Sequence, residues 1–108
     1  MSAQPYSHDQ FNDENGNPAG GEARSVGLSV VWQNGPLGRG AERTEPNGAF
    51  VETVITVAAD RLAFYQDSPF ACIENAVALG NLQAALRALE NRTKRREALG
   101  VEGTHAGH

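Results

Sequence analysis

No stretch of this 108-residue chain approaches the ~20 consecutive apolar residues that a membrane-spanning helix requires. The N-terminus also lacks the charged-then-apolar pattern of a secretory signal. Cysteine is represented by Cys72 alone, so no intrachain disulfide can form, which fits a reducing compartment. With Phe70, Ile73 and Val77 as neighbours on an expected helix, Cys72 reads as a small core residue rather than a reactive thiol. Histidine is scarce and poorly placed for chemistry. His8, His105 and His108 all fall in expected tails, no two are spaced to hold a metal on a helix, and none joins a serine or cysteine in a nucleophilic motif. A phosphate-cradling glycine loop is missing too, Gly38-Arg39-Gly40 being too short to form one. These absences argue against an enzyme and leave no cofactor or metal to expect.

What the chain does contain is arginine. Eight of its nine basic residues are arginine, and five of the nine, Arg87, Arg92, Lys94, Arg95 and Arg96, crowd into one ten-residue window. The net charge of −4 disfavours wholesale binding of duplex nucleic acid. Arginine's planar fork nevertheless suits local contacts with phosphate. The length fits one small domain, and association with further copies is a common remedy for so thin a core.

Residues 1–24 are rich in Asn, Gln, Asp, Gly and Ser with few apolar anchors, and read as a flexible N-terminal tail ahead of an α+β domain spanning 25–108. From Ser25, Val26, Leu28, Val30 and Trp32 alternate as in a strand with one buried face. Asn34-Gly35-Pro36 ends that strand, and Leu37–Pro46 reads as a loop or hairpin tip. Asn47 is placed to cap a helix over about 48–66, whose apolar positions Val51, Val54, Ile55, Ala58, Leu62 and Tyr65 follow helical spacing. The β-branched run 54–57 leaves strand as the alternative. Ser68 and Pro69 suit the start of a long helix over 69–99, with Gly100 closing it. The fold class is thus α+β, a small antiparallel β-sheet followed by two helices, the second long and mediating oligomerisation.

The long helix carries two stripes. Leu79, Leu82, Leu86 and Leu89 form a packing seam. Ala76, Gly80, Ala84 and Ala88 are small and spaced by four, which lets helix backbones approach closely. Mid-helix, Gly80 costs about 1 kcal/mol relative to alanine, so either a partner helix or the domain's own first helix is expected against it. Arg92 and Arg96 share a helix face and match a pyrophosphate. Tyr65 offers an aromatic face to a base, and Asn75 a donor and an acceptor. Asn75 and Arg92 are 17 residues apart, roughly 25 Å along a helix, too far for one small molecule to bridge. An antiparallel second copy would bring Arg92 and Arg96 opposite Tyr65 and Asn75, giving two equivalent sites. The blander readings are an arginine-rich last turn that complements the helix dipole, with Glu90 and Glu97 as ion-pair partners, a core Tyr65 and an exposed polar Asn75.

From Val31 to His105 an ordered set of segments is familiar: Trp32-Gln33-Asn34-Gly35-Pro36, Asn47-Gly48 with Glu52, Asp60-Arg61-Leu62, Tyr65-Gln66, Pro69-Phe70-Ala71-Cys72, Glu74-Asn75-Ala76, the leucine seam, Arg92-Thr93, Arg96 and Gly100-Val101-Glu102-Gly103-Thr104-His105. This set resembles the Thoeris anti-defence protein 1 family of phage proteins. The resemblance implies a non-enzymatic sponge in the cytoplasm of the infected bacterial host. Such a sponge binds glycocyclic ADP-ribose made by the TIR-domain protein of Thoeris and withholds it uncleaved from the effector. It also implies dimers that assemble into hexamers and, in some members, cyclic oligonucleotides of the CBASS system held at separate sites. By the same resemblance Tyr65 is the stacking aromatic where other members have phenylalanine, Asn75 the polar contact, and Arg92 and Arg96 the phosphate ligands. The long polar N-terminal segment and the extended loop between Pro36 and Asn47 depart from the family pattern, leaving oligomer size and any second ligand site open. The alternative from another class is a small phage nucleic-acid-binding or protein-interaction adaptor that uses the basic end of the long helix.

Overall fold

The computed structural model describes residues 3–105. Three strands, β1 (Ser7–Asn12), β2 (Pro18–Ser25) and β3 (Leu28–Val31), precede two helices, α1 (Val51–Gln66) and α2 (Ile73–Ala98), with a 3-10 turn at Gly40–Glu42 between sheet and helices. The described chain divides into two compact units, residues 3–50 with 101–105 and residues 51–100.

In the first unit the sheet is antiparallel in the order β1-β2-β3. The segment expected as a tail therefore carries two strands, and the expected boundary after residue 24 falls inside β2. The physical reason is turn chemistry rather than apolar anchoring. One Asp13 carboxylate oxygen accepts from the backbone N–H groups of Asn15 and Asn17 at 2.9 and 3.0 Å. Gly16 takes the left-handed φ of 80° that closes the reversal. Asp9 then pairs with Glu22, and Glu22 with Val31. The turn holds the Asp13 carboxyl below its usual range, chiefly through the backbone hydrogen bond from Asn17. Because the folded value is the lower one, the turn's contribution is full above the ordinary carboxylate pKa of about 3.9. It is lost as pH falls through the folded value. Amide shifts of Asn15 and Asn17 should follow that titration, and Asp13→Ala should abolish it.

Val26, expected inside a strand, sits in the β2–β3 turn, while Val30 is the one buried apolar side chain of this unit among the described residues. Asn47 does not cap α1. It is clamped to the 33–35 turn, accepting from the Asn34 N–H at 2.8 Å and donating to the Asn34 carbonyl and the Gln33 side chain. Ala49 then bridges to Trp32, so the helix starts at Val51. The loop over 37–46 is tied by residues 101–104. Gly38 donates to the Gly103 carbonyl at 2.7 Å, and Arg43 forks onto the Glu102 carboxylate at 2.8 and 3.2 Å.

The second unit is a helical hairpin in which α1 packs on α2. The β-branched run of α1 is helical throughout. The leucine seam of α2 lies half-buried and continues through Thr93 to Arg96, spaced as a coiled-coil stripe. Gly100 adopts φ 73° and its N–H returns to the Glu97 carbonyl at 3.0 Å, the expected left-handed stop. The start differs from expectation. Ser68 and Pro69 belong to the turn, α2 begins at Ile73, and Cys72 is its N-cap, its sulfur accepting from the Asn75 N–H at 3.4 Å. Cys72 is exposed rather than in a core. Phe70 and Ile73, the apolar neighbours that suggested burial, are themselves 75% and 79% exposed.

Candidate functional site

The turn joining α1 to α2 is locked from several directions. The Gln66 amide both donates to the Cys72 carbonyl and accepts from its N–H, each at 3.0 Å. The Ser68 hydroxyl donates to the Tyr65 carbonyl at 2.6 Å and accepts from the Phe70 N–H at 3.1 Å. The Asn75 amide donates to the Phe70 carbonyl at 3.4 Å. Tyr65 and Asn75 thus flank one braced corner, both half-buried. No direct hydrogen bond joins their side chains among the described residues. The Tyr65 hydroxyl instead accepts from Arg61 Nε at 3.2 Å. Phe64, whose ring centroid lies 6.3 Å from that of Tyr65, is exposed, as is Phe70 in the turn.

Arg92 and Arg96 lie at the other end of the hairpin, and their environments differ. Arg92 is exposed and makes no hydrogen bond or ion pair among the described residues. Arg96 is 6% exposed and is engaged within the fold. Glu90, weighed as an arginine partner, pairs with Lys94 at 3.3 Å. Since α2 is uninterrupted from Ile73 to Ala98, one chain cannot bring Asn75 and Arg92 together. The structure therefore places Tyr65 and Asn75 at one end of the hairpin and Arg92 and Arg96 at the other.

Between those ends runs an uncovered face. A Cβ built at Gly80 meets nothing within 4 Å, so the first helix of the same chain does not occupy that position. Ala76, Ala84 and Ala88 are exposed on the same stripe, with Ile73 and Val77 beside it. Within the hairpin only Ala59 among the apolar residues is buried. An apolar face left open by a helix pair with so little interior of its own has the character of an association surface.

Among the described residues no cluster of three or more His, Cys, Asp or Glu could hold a metal, and no helix is long and apolar enough to cross a membrane. His8 lies on β1 beside the Tyr6 ring, His105 is exposed, and His108 lies outside the described residues. Gln66 and Arg61 stand in the family pattern, but residue type alone assigns neither a role. The signal for Arg61 was its spacing of three and four from Phe64 and Tyr65.

Comparison with known proteins places the chain in a family. The model of the Acb2/Tad1 hairpin domain matches residues 28–94. The chain is 48% identical over 79 residues to Thoeris anti-defense 1 of Bacillus phage SBSphiJ7. That alignment covers 71% of this chain and 51% of the phage protein, so the chain spans about half the length of this curated relative. The matched region takes in β3, the connecting loop, α1 and most of α2, the elements that carry Tyr65, Asn75 and Arg92. On that match the chain belongs to the Acb2/Tad1 hairpin family.

Proposed function

We propose that this protein is a phage anti-defence sponge that binds glycocyclic ADP-ribose and withholds it, uncleaved, from the Thoeris effector in the cytoplasm of the infected bacterium. The family and the name of the phage relative support the anti-defence role. One structural observation carries the binding mode: the two halves of the contact set stand at opposite ends of one unbroken helix, with a small-residue face exposed between them.

An antiparallel partner helix completes the site. The point midway between residues 75 and 92 is residue 83 to 84, inside the stripe Gly80–Ala84–Ala88. A two-fold axis there sets Asn75 of each chain against Arg92 of the other, and both pockets are built from the same residues. Each pocket then offers Tyr65 to a base, Asn75 to a ribose or base edge, and Arg92 and Arg96 to the pyrophosphate. Forked arginine–phosphate bonds are about twice as strong as neutral hydrogen bonds. Dimers of this kind, grouped as hexamers, are the proposed assembly.

The burial of Arg96 separates the two arginines as test positions. Arg96→Glu places a carboxylate where a cation is buried, a change that costs several kcal/mol when one partner of a buried charge is reversed or lost. Arg96→Lys is the usable variant, expected to keep the melting temperature within a few degrees while weakening capture through loss of the fork.

The deciding experiment is calorimetric titration of the full chain with glycocyclic ADP-ribose, cyclic oligonucleotides and duplex DNA, followed by heating and recovery of the nucleotide. Tight binding with unchanged ligand recovered supports the sponge. Recovery of opened nucleotide overturns it in favour of an enzyme. Binding of duplex DNA alone, with steep salt dependence, overturns it in favour of a nucleic-acid adaptor.

A further inference from the structure

Arg61 stands apart from the other exposed cations of the hairpin. Its guanidinium carbon lies 5.1 Å from the Phe64 ring centroid and 5.0 Å from that of Tyr65. Its Nε–H donates to the Tyr65 hydroxyl at 3.2 Å. The two rings are tilted by 51° with centroids 6.3 Å apart. The side chain is thus held by two rings and a hydroxyl on its own helix rather than by a carboxylate. No ion pair engages it among the described residues, and both Nη groups are without a hydrogen-bond acceptor there. A cation–π contact fixes a guanidinium plane without neutralising its charge, so a fork of donors is presented to solvent in a set orientation. Tyrosine rather than phenylalanine at position 65 matters here, because only the hydroxyl can accept from Nε.

We propose that Arg61 is a further ligand contact of the Tyr65–Asn75 corner, taking an anionic oxygen of the bound molecule through its outward Nη groups. The inference rests on the reading of Tyr65 as the aromatic that receives the base. It narrows the ligand chemistry. The molecule must carry a phosphate oxygen within one guanidinium's reach of the stacked ring, which a nucleotide does and a neutral nucleoside does not. It also supplies positive charge to the pocket from the same chain as Tyr65, independent of the arginines at the far end of α2.

The test is calorimetry of the full chain with glycocyclic ADP-ribose at low and high salt, comparing the wild type with Arg61→Gln, Arg61→Lys, Tyr65→Phe and Arg92→Glu. Arg61→Gln is expected to weaken binding about tenfold, the size of one charge-assisted hydrogen bond, and to flatten the salt dependence. Arg61→Lys should restore the salt dependence but not the full affinity. Tyr65→Phe should retain stacking and reduce the further loss caused by Arg61→Gln. Weaker binding by Arg61→Gln with an unchanged salt dependence would mark a merely structural role and overturn the proposal. So would wild-type affinity in Arg61→Gln while Arg92→Glu fails to bind, a result that leaves the sponge reading intact. A wild type that does not bind the nucleotide overturns both.

Discussion

Arg92→Glu is expected to weaken capture of glycocyclic ADP-ribose by at least a hundredfold while leaving the melting temperature within a few degrees of the wild type. Arg92 is exposed and engages nothing among the described residues, so the fold loses nothing when its charge is reversed. Surface changes of that sort stay within about 0.5 kcal/mol. At the proposed pocket the effect is twofold: a forked cation–phosphate contact disappears and a like charge faces the phosphate. Loss of a charged hydrogen-bonding partner costs about 1.5–3 kcal/mol, and the repulsion adds to it. Titration of the two proteins side by side, with a thermal melt of each, checks the prediction. Unchanged affinity would remove Arg92 from the site.

Gly80→Leu is expected to break the assembly without damaging the helix. In the single chain the position is open, with nothing within 4 Å of a built Cβ, and leucine exceeds glycine in helix propensity by roughly 0.8 kcal/mol. Far-ultraviolet dichroism should therefore show helix content equal to or above that of the wild type. Across the proposed two-fold contact the added side chain holds the backbones apart and removes the close approach that the small stripe allows. Sedimentation should move from the oligomer to the single chain, and nucleotide binding should fall with it if, as proposed, each pocket is built from two chains. An unchanged oligomer would show that this stripe is not the contact.

Much of this molecule is legible in its residue pattern, for identifiable reasons. The order of sheet, short helix and long helix follows from periodicity, and Gly100 announces the end of α2 because its left-handed backbone favours glycine. The helical state of Val54–Val57 follows from the apolar spacing on either side, which outweighs β-branching. The N-terminal strands leave no apolar signature because β1 has no buried face: all six of its residues are exposed. Its register comes from the Asp13–Asn17 turn, and an apolar count is blind to that. Asn47 and Ser68 have the right residue type for helix caps, but side-chain bonds to Asn34 and to the Tyr65 carbonyl claim them first. Cys72 takes the cap of α2 instead.

The candidate site is legible in part. Tyr65, Asn75, Arg92 and Arg96 can be selected from residue type and helix spacing, and the length of α2 separates them into two pairs. The burial of Arg96 is not readable from a last-turn arginine. The aromatic seating of Arg61 likewise depends on side-chain rotamers that a spacing of three and four permits but does not dictate.

Mixing two inactive variants tests the shared pocket most directly. Tyr65→Ala and Arg92→Glu each spoil both pockets of their own dimer. A mixed dimer holds one pocket spoiled twice and one with Tyr65 from one chain and Arg92 from the other, both intact. Random exchange makes half of the dimers mixed, so calorimetry should recover about one quarter of the wild-type sites, at wild-type affinity. If the mixture, shown by mass spectrometry to have exchanged subunits, binds no nucleotide, the pocket is not divided between chains in this way.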